Sequence, residues 1–399
     1  MTMTTYCSKS WTDINIDFEN RLIRHCCKSV PYEFPVSLTK EFISLSPNIV
    51  NRRQDTLNNV AHHDCISCWN DYDKGQSAYR DWANQWTEAF VNANKNNLNT
   101  DKHIHYIEIK TDNTCDMACL YCSSFSSSKI AQEEGQPVLD KTNEQDYITF
   151  KSWMRDHVLR TDTHKDLIFI FLGGEPTASE RFYELADYIE DLSKLTNRKI
   201  RLEICTNANS KHFLMDKMID RLDRSNLTWG IGISNESFGN TAELVRHGLN
   251  WQRFSENFKR YITHPKTELI VMSPTINIFN LKSFPHYVTW VHEQFRKYAP
   301  DKQFTWFGNY ISWPDAMDIA HLPKSYVKYI DLLEQAISVN SDCNYVYQDN
   351  FNNYMKQMRA RIGSAYDPAY KTAARKFLEE KQRVKKTDKL VNLLNNLDQ

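Results

Sequence analysis

Three cysteines lie close enough in the chain to hold a metal group from one loop. Cys115, Cys119 and Cys122 directly follow a strand-like segment at 105–110. Three thiolates can ligate three irons of a cubic [4Fe–4S] cluster and leave the fourth iron open. The alternative is structural zinc, which normally takes four closed ligands in paired spacings. Because no Cys or His follows Cys122 closely, the spacing favours the iron–sulfur cluster.

The first hundred residues contain a second group of cysteines. Four of them could ligate another metal group: Cys7, Cys26, Cys65 and Cys68. Cys27 is an alternative to its neighbour, and His62 and His63 are further candidates beside Cys65, although solvated loop histidines are more common. Four thiolates suit a fully ligated iron–sulfur cluster or structural zinc equally well, so the ligand count leaves both open.

A glycine pair followed by a carboxylate ends another strand-like run, in the order Gly173-Gly174-Glu175-Pro176. Glycines let a backbone approach a ligand closely, and Pro176 fixes the following turn. The Glu175 carboxylate can accept a hydrogen bond from an ammonium group. Alone, this run is equally consistent with a plain strand-to-helix turn. Its position about fifty residues after the cysteine loop favours a ligand site.

Polar side chains also follow two later strand-like runs. Thr206 and Asn207 end one run, Ser234 ends the next, and Arg246 follows Ser234 by twelve residues. A hydroxyl and a guanidinium are suitable partners for a ribose or a carboxylate. The alternative for Arg246 is a solvated helix face.

From residue 104 onward, short apolar, β-branched runs alternate with stretches of helical periodicity. This alternation predicts β-α units and a parallel sheet, with active groups in loops at the carboxyl ends of the strands. The six predicted strands are 104–110, 167–172, 200–206, 227–234, 269–278 and 303–309. The predicted helices between them are 145–159, 178–195, 211–223, 241–262 and 281–298.

The cysteine loop together with the Gly-Gly-Glu-Pro run resembles the signature of the radical S-adenosylmethionine (SAM) superfamily. The resemblance implies a partial (β/α)6 TIM-like barrel and an enzyme that reductively cleaves SAM to a 5′-deoxyadenosyl radical, which abstracts hydrogen from a substrate. It implies SAM-binding roles for strand-end and loop residues: Tyr121, Gly173, Gly174, Glu175, Pro176, Thr206, Asn207, Ser234 and Arg246. In one departure, relatives often read Ser-x-Asp-Gly where this chain has Ser-Asn-Glu-Ser at 234–237.

The N-terminal cysteines and the stretch 68–80 resemble the twitch, or SPASM, module of phage and bacterial radical SAM proteins. That module usually follows the barrel, whereas here it precedes it. The resemblance implies a second, auxiliary [4Fe–4S] cluster, a peptide or protein side chain as substrate, and a reducing partner such as flavodoxin or ferredoxin. The predicted domains are an auxiliary module at 1–100, a barrel at 101–312 and a helical C-terminal region at 313–399.

Two other functions stay open at this point. One is a radical SAM enzyme that acts on a small metabolite or nucleotide precursor. The other is a non-enzymatic, zinc-stabilised binding protein. An enzyme that acts on a small metabolite or nucleotide precursor would need a closed pocket, whereas an enzyme that modifies a peptide would need an open groove. The binding protein would be colourless and indifferent to SAM.

The charge balance of the 399-residue chain narrows its partners. Lys plus Arg total 49 and Asp plus Glu total 50, so no overall basic field favours nucleic acid or a membrane surface. The first residues lack the pattern of a signal peptide, and no stretch approaches the length of a membrane span. We therefore expect a cytoplasmic protein, in which ten cysteines favour metal ligation over disulfides.

Overall fold

The computed structural model describes residues 5–73, 80, 83–84, 98–136, 143–162, 166–339, 346 and 348–397. Its strands are β1 (Asp13–Asp17), β2 (Leu22–Arg24), β3 (Tyr32–Glu33), β4 (Tyr106–Lys110), β5 (Leu167–Leu172), β6 (Ile200–Thr206), β7 (Thr228–Ile233), β8 (Thr267–Met272), β9 (Thr275–Ile276), β10 (Gln303–Trp306) and β11 (Asn309–Tyr310). Its α-helices are Lys9–Thr12, Lys40–Leu45, Pro47–Leu57, Ile66–Asp73, Ser128–Glu133, Glu144–Val158, Glu180–Ser193, His212–Arg224, Gly239–Val245, Trp251–Thr263, Phe284–Tyr298, Lys328–Val339, Gln348–Arg361 and Tyr370–Lys385.

Nine strands form one largely parallel sheet in the order β10-β8-β7-β6-β5-β4-β1-β2-β3. The pairs β1–β4, β4–β5, β7–β8 and β8–β10 are parallel, whereas β1–β2 and β2–β3 are antiparallel. The mixed α/β fold with a mostly parallel sheet is thus confirmed. The predicted barrel is not confirmed, because the order of the described strands has two ends, β10 and β3.

The chain divides into two compact units. The first comprises Met1–Asp112, Leu139–Gly173 and Ser179–Glu203, and the second comprises Asn113–Val138, Gly174–Ala178 and Ile204–Gln399. In the first unit, β1 pairs in register with β4, from Asp13 opposite Tyr106 to Asp17 opposite Lys110. Residues assigned by sequence to a separate N-terminal module therefore extend the sheet, and a module with its own fold is not shown. Residues 74–79 of the stretch that resembles a twitch module lie outside the described residues.

Hydrophobic periodicity explains why these segments become these elements. In β6 the residues alternate between buried and partly exposed, as expected for a strand with one face on the core. In the helix Glu180–Ser193 the buried Phe182, Leu185 and Ile189 recur at helical spacing. The helix begins where the Ser179 hydroxyl accepts a hydrogen bond from the Phe182 N–H at 3.3 Å. None of the described helices is long and apolar enough to cross a bilayer.

Two predicted elements are broken in the structure. The predicted helix 241–262 consists of Gly239–Val245 and Trp251–Thr263, separated by a turn in which Gly248 has φ +103°. The Asn250 side chain caps the second helix by accepting from the Arg253 N–H at 2.8 Å. The predicted strand 269–278 is β8 followed by β9, which pairs with β11 in a separate two-stranded sheet. Both breaks contain turn residues, Gly248 and Asn250 in the first and Pro274 in the second, and a prediction from apolar periodicity alone does not use them.

His157 is a buried histidine that stabilises the first unit in its neutral form. It is 2% exposed, its Nε2 lies 2.8 Å from the Ile104 carbonyl oxygen, and its ring stacks on Trp153 at 5.0 Å. Burial lowers the pKa of His157 to about 4, although the bond to the carbonyl opposes this shift.

We expect this histidine to make unfolding pH-dependent. Between pH 6.5 and about 4 the unfolded chain binds a proton at this side chain and the folded chain does not. The stabilisation is therefore complete above pH 6.5 and is lost as pH falls toward 4, by an amount of about 3 kcal/mol. Urea unfolding from pH 4 to 7 should show a shallower pH dependence for His157→Gln. The exposed His212→Gln is the control, and an unchanged slope for His157→Gln would contradict this account.

Candidate functional site

The cysteine loop of the second unit is anchored by the apolar residues between its cysteines. Met117 and Ala118 are 1% exposed and Leu120 is fully buried. The Ala118 N–H donates to the His247 carbonyl at 2.8 Å, and the Leu120 N–H donates to the Val245 carbonyl at 2.9 Å. The three cysteines each keep accessible surface: Cys115, Cys119 and Cys122. Anchoring through the intervening residues thus leaves the three thiols available to a ligand.

The serine-rich run after Cys122 holds the other side of this loop. The Ser127 hydroxyl donates to the Met117 carbonyl at 2.7 Å. The Cys115 N–H donates to the Ser128 hydroxyl at 3.1 Å, and the Ser128 N–H donates to the Asn113 carbonyl at 2.8 Å. In the sequence, these serines stood out only because none of them supplies a fourth metal ligand after Cys122. A hydroxyl three residues before an apolar pair, at a helix start, is the signal that could have identified Ser127.

The Gly-Gly-Glu-Pro turn joins the same loop through its backbone. The Glu175 N–H donates to the Thr114 carbonyl at 2.7 Å. A Cβ at Gly174 would overlap the carbonyl oxygens of Thr114 and Asn113, so only glycine permits this approach. Gly173 has φ +148°, and Pro176 begins a short 3-10 turn, Pro176–Ala178. The sequence predicted that these glycines let the backbone approach a ligand. In the structure, the backbone of this turn approaches the start of the cysteine loop.

The Glu175 carboxylate accepts hydrogen bonds from residues at the end of β6. Its side chain is 1% exposed. Oε1 accepts from the hydroxyls of Thr206 and Thr177, each at 2.7 Å, and Oε2 accepts from the Asn207 N–H at 2.7 Å. Burial raises the pKa of Glu175, and these donors oppose the shift by stabilising the charged form. Thr206, Asn207 and Glu175 are thus brought together, and this chain's own donors occupy both carboxylate oxygens.

Asn207 extends this network toward the cysteines. Its Nδ2 donates to Asp116 Oδ1 at 3.3 Å, next to Cys115 in the loop. Burial raises the pKa of Asp116, whereas the bond from Asn207 lowers it. The Ser234 N–H donates to the Thr206 carbonyl at 2.9 Å, which places the predicted Ser234 beside the end of β6.

A buried ion pair ties Tyr121 to Arg246. Glu236 is fully buried and accepts from Arg246 Nη2 at 2.7 Å and from Nε at 3.1 Å. The Tyr121 hydroxyl donates to Glu236 Oε1 at 2.9 Å, and the Arg246 guanidinium lies 5.5 Å from the Tyr121 ring centroid. Burial raises the pKa of Tyr121 well above its ordinary value, and Glu236 adds to the rise. Arg246 is therefore buried and paired, and it does not lie on a solvated helix face.

Glu236 is the residue of this network whose role the sequence did not reveal. It occupies the position where relatives of the resembled family often carry Asp, and the sequence offered no partner for it. Only the fold brings Tyr121 and Arg246 to the same carboxylate.

Burial keeps Cys115 and Cys119 protonated in the metal-free chain by raising the pKa of each thiol. Burial raises the pKa of Cys119 to about 12; Cys122 and Glu236 add to the rise, and Arg246 opposes it. Burial also raises the pKa of Cys115, and Cys119 adds to that rise. A metal that binds here must therefore displace protons from the thiols.

A second set of cysteines lines one cavity in the first unit. The four thiol ligands predicted for the N-terminal group all line this cavity: Cys7, Cys26, Cys65 and Cys68. Cys27 is not among the residues that line it. The Lys28 N–H lies 3.5 Å from the Cys26 sulfur, as expected for an amide that supports a metal-bound thiolate. The rest of the wall is formed by hydroxyl and cationic side chains: Ser10, Ser29, Lys28, Arg52 and Arg80.

The charges in this cavity affect the thiols unequally. The pKa of Cys26 is lowered to about 6, first by a hydrogen bond from Cys27 and then by Lys9 and Arg52. Burial raises the pKa of Cys68 to about 11 and also raises that of Cys7. Cys26, whose pKa is lowered, thus lies in the same cavity wall as Cys7 and Cys68, whose pKa values are raised.

The two histidines considered as alternative ligands form a separate group with Asp64. The ligand atoms of His62, His63 and Asp64 lie within 4.8 Å of one another. His62 Nδ1 accepts from the Asp64 N–H at 3.2 Å, and burial lowers the pKa of His62. His63 is 85% exposed. Neither histidine lines the cavity with the cysteines.

We expect Gly174→Ala to disrupt metal binding at the cysteine loop, because its Cβ would overlap the backbone of residues 113 and 114. Iron analysis after anaerobic reconstitution should show iron lost from this loop, while circular dichroism shows retained secondary structure. Gly135→Ala is the matched control, since a Cβ there meets nothing within 4 Å and adds only the cost of φ +67°. Equal iron content in both variants would contradict this role for Gly174.

We expect Glu236→Gln to reduce the free energy of unfolding by about 3–5 kcal/mol, because it leaves the Arg246 charge buried without a counter-charge. The double variant Glu236→Gln/Arg246→Met should recover much of this loss. A double-mutant cycle by urea denaturation measures the coupling. Strict additivity of the two single variants would show that the pair is not coupled.

Comparisons with known proteins find similarity only in structure. No family model and no curated protein matches the sequence. The structure of native anSMEcpe with bound AdoMet and Kp18Cys peptide matches with a TM-score of 0.40 and 15% identity, over 61% of this chain and 63% of that chain. Streptococcus suis SuiB bound to precursor peptide SuiA matches with a TM-score of 0.41 and 14% identity, over 85% of this chain and 71% of that chain.

SuiB bound to S-adenosylmethionine matches with a TM-score of 0.41 and 15% identity, over 84% of this chain and 71% of that chain. The chain thus spans less than two thirds of the anSMEcpe chain that it matches. At TM-scores below 0.5 such a likeness does not by itself identify a function. These solved structures of anSMEcpe and SuiB contain bound S-adenosylmethionine, a bound peptide or both.

Proposed function

We propose that this chain is a radical SAM enzyme that holds a [4Fe–4S] cluster on Cys115, Cys119 and Cys122. The observation that supports this proposal most is the direct backbone contact between the cysteine loop and the Gly-Gly-Glu-Pro turn. Gly174 and the Glu175 N–H fix that turn against residues 113 and 114, directly before the first cysteine. Three accessible thiols with no closing fourth ligand in the loop suit a cluster with one open iron better than structural zinc.

A cluster held by these cysteines would supply the electron for reductive cleavage of SAM and so the radical chemistry that removes hydrogen from the substrate. The chain's own residues position the reactants. Glu175 orders Thr206 and Asn207, and Glu236 orders Tyr121 and Arg246. The residues proposed to surround SAM are Tyr121, Gly173, Gly174, Glu175, Pro176, Thr206, Asn207, Ser234 and Arg246.

The second cysteine group extends this proposal to an auxiliary iron–sulfur cluster. Four thiols in one cavity provide a complete ligand set, and the Lys28 amide supports one of them. A cluster at this site would provide an acceptor for the electron left by the reaction or a binding point for the substrate. We therefore propose oxidation or cross-linking of a peptide or protein side chain as the reaction, with flavodoxin or ferredoxin as the reductant.

The test is the formation of 5′-deoxyadenosine from SAM by anaerobically reconstituted, dithionite-reduced protein. We expect product from the intact chain and none from Cys115→Ala/Cys119→Ala/Cys122→Ala, because the variant lacks the ligands of the SAM-binding cluster. Liquid chromatography with mass detection measures the product. Cys205→Ala, which removes a thiol of β6 outside both cysteine groups, should keep the activity.

Iron content and colour of the same samples separate the alternatives. Retained zinc with no iron and no product would contradict the enzyme and favour a binding protein. Product formation accelerated by a peptide library but not by metabolites would support the proposed substrate class, and the reverse would contradict it.

A further inference from the structure

Arg52 is a buried cation at the wall of the N-terminal cysteine cavity. It lies in the helix Pro47–Leu57, and its side chain is 2% exposed. Among the described residues, neither Nε nor Nη2 of Arg52 has a hydrogen-bond partner. A buried guanidinium without partners is costly, because desolvation of the charge is not compensated.

The next residue shows how this fold satisfies a buried arginine. Arg53 is fully buried, and its Nε donates to the Ser10 carbonyl at 2.8 Å. Its Nη1 donates to the carbonyls of Leu98 and Thr100 at 2.6 and 2.9 Å. Arg53 is therefore held by three backbone carbonyls and keeps one unpartnered nitrogen, Nη2, whereas Arg52 has two unpartnered nitrogens and lines the cavity.

The composition of the cavity wall indicates what those donors meet. The wall contains four cysteines, two serines and three cationic side chains, and the described residues that line it include no carboxylate. A metal group with four thiolate ligands carries net negative charge. A cationic wall around four thiols thus complements a metal–thiolate group, and the described lining residues offer no carboxylate as a competing anion.

We propose that Arg52 is the internal counter-cation of the metal–thiolate group in this cavity and donates hydrogen bonds to its sulfurs through Nε and Nη2. The proposal rests on the second metal site proposed above. Hydrogen bonds and positive charge next to the sulfurs favour the reduced, more negative state of an iron–sulfur cluster. Arg52 therefore raises the reduction potential of this cluster, and it acts as a positioning and tuning residue.

The experiment compares Arg52→Met, Arg52→Lys and the control Arg53→Met in the full chain, each in metal-free and metal-loaded form. Arg52→Met removes from the metal-free chain a buried charge whose Nε and Nη2 lack hydrogen-bond partners, so its Tm should rise. In the loaded chain the same change removes the counter-cation, so the Tm should fall, with metal affinity weakened about 10- to 100-fold in chelator competition. Arg52→Lys should lie between Arg52→Met and the unmodified chain.

Arg53→Met loses bonds to backbone carbonyls and should lower the Tm of both forms alike. A fall in both forms for Arg52→Met as well would overturn the proposal, because that result indicates an ordinary structural role. A redox titration followed by electron paramagnetic resonance, on chains that lack Cys115, Cys119 and Cys122, should give a lower midpoint potential for Arg52→Met than for the parent. An unchanged midpoint potential would also overturn it.

The same samples test the second cluster separately. Zinc in place of iron at these four cysteines would contradict the auxiliary cluster, and the opposite signs of the two Tm changes would still decide the role of Arg52. Absence of any metal from a folded chain that lacks Cys115, Cys119 and Cys122 would overturn both proposals.

Discussion

The carboxylate of Glu175 is the interaction on which the candidate SAM site depends. It is almost completely buried, yet it accepts hydrogen bonds from Thr177, Thr206 and Asn207, while its own N–H donates to the cysteine loop. A buried carboxylate is stable only when its oxygens have such donors. The turn, the end of β6 and the loop therefore have to be positioned together. Loss of the Asn207 N–H bond would leave Oε2 without its donor, whereas Oε1 would keep one hydroxyl donor if it lost the other.

The second unit contains a matching constraint in Glu236. There the charge is compensated by a bidentate bond from Arg246 and by the Tyr121 hydroxyl. Tyr121 stands directly before Cys122, so the ion pair also restrains the end of the cysteine loop. Two buried carboxylates thus order the loop from two sides, and both act through residues that were candidates for contact with SAM. Their arrangement provides preorganisation, because these groups are held in place before any ligand arrives.

The N-terminal cavity of the first unit contains buried cations, whereas the site in the second unit is organised by the buried carboxylates of Glu175 and Glu236. Its wall brings cations and thiols together without a carboxylate among the described lining residues. The low pKa of Cys26 has the same origin, since the neighbouring cations and the Cys27 thiol stabilise its thiolate. A metal–thiolate group is the anion that would complete this balance. The cationic side chains in its wall therefore distinguish this cavity from a hydrophobic core.

The sequence by itself determined the elements and the chemistry of the residue types. β5 and β6 begin and end where periodicity predicted them, and the cysteine spacing indicated two candidate metal sites. Periodicity alone did not find the break before Trp251, because the turn depends on Gly248 packing against the backbone of residues 116 and 117, which lie far away in sequence.

Only the tertiary structure decided which side chains meet. Glu236 lies 115 residues from Tyr121, and Arg52 is far in sequence from Cys7 and Cys26. Local patterns report which face of an element is apolar, but they carry no information on long-range pairing. The choice of Cys26 over Cys27 for the cavity wall, the pairing of Arg246 and the unpaired donors of Arg52 all follow from how buried charges are compensated in three dimensions.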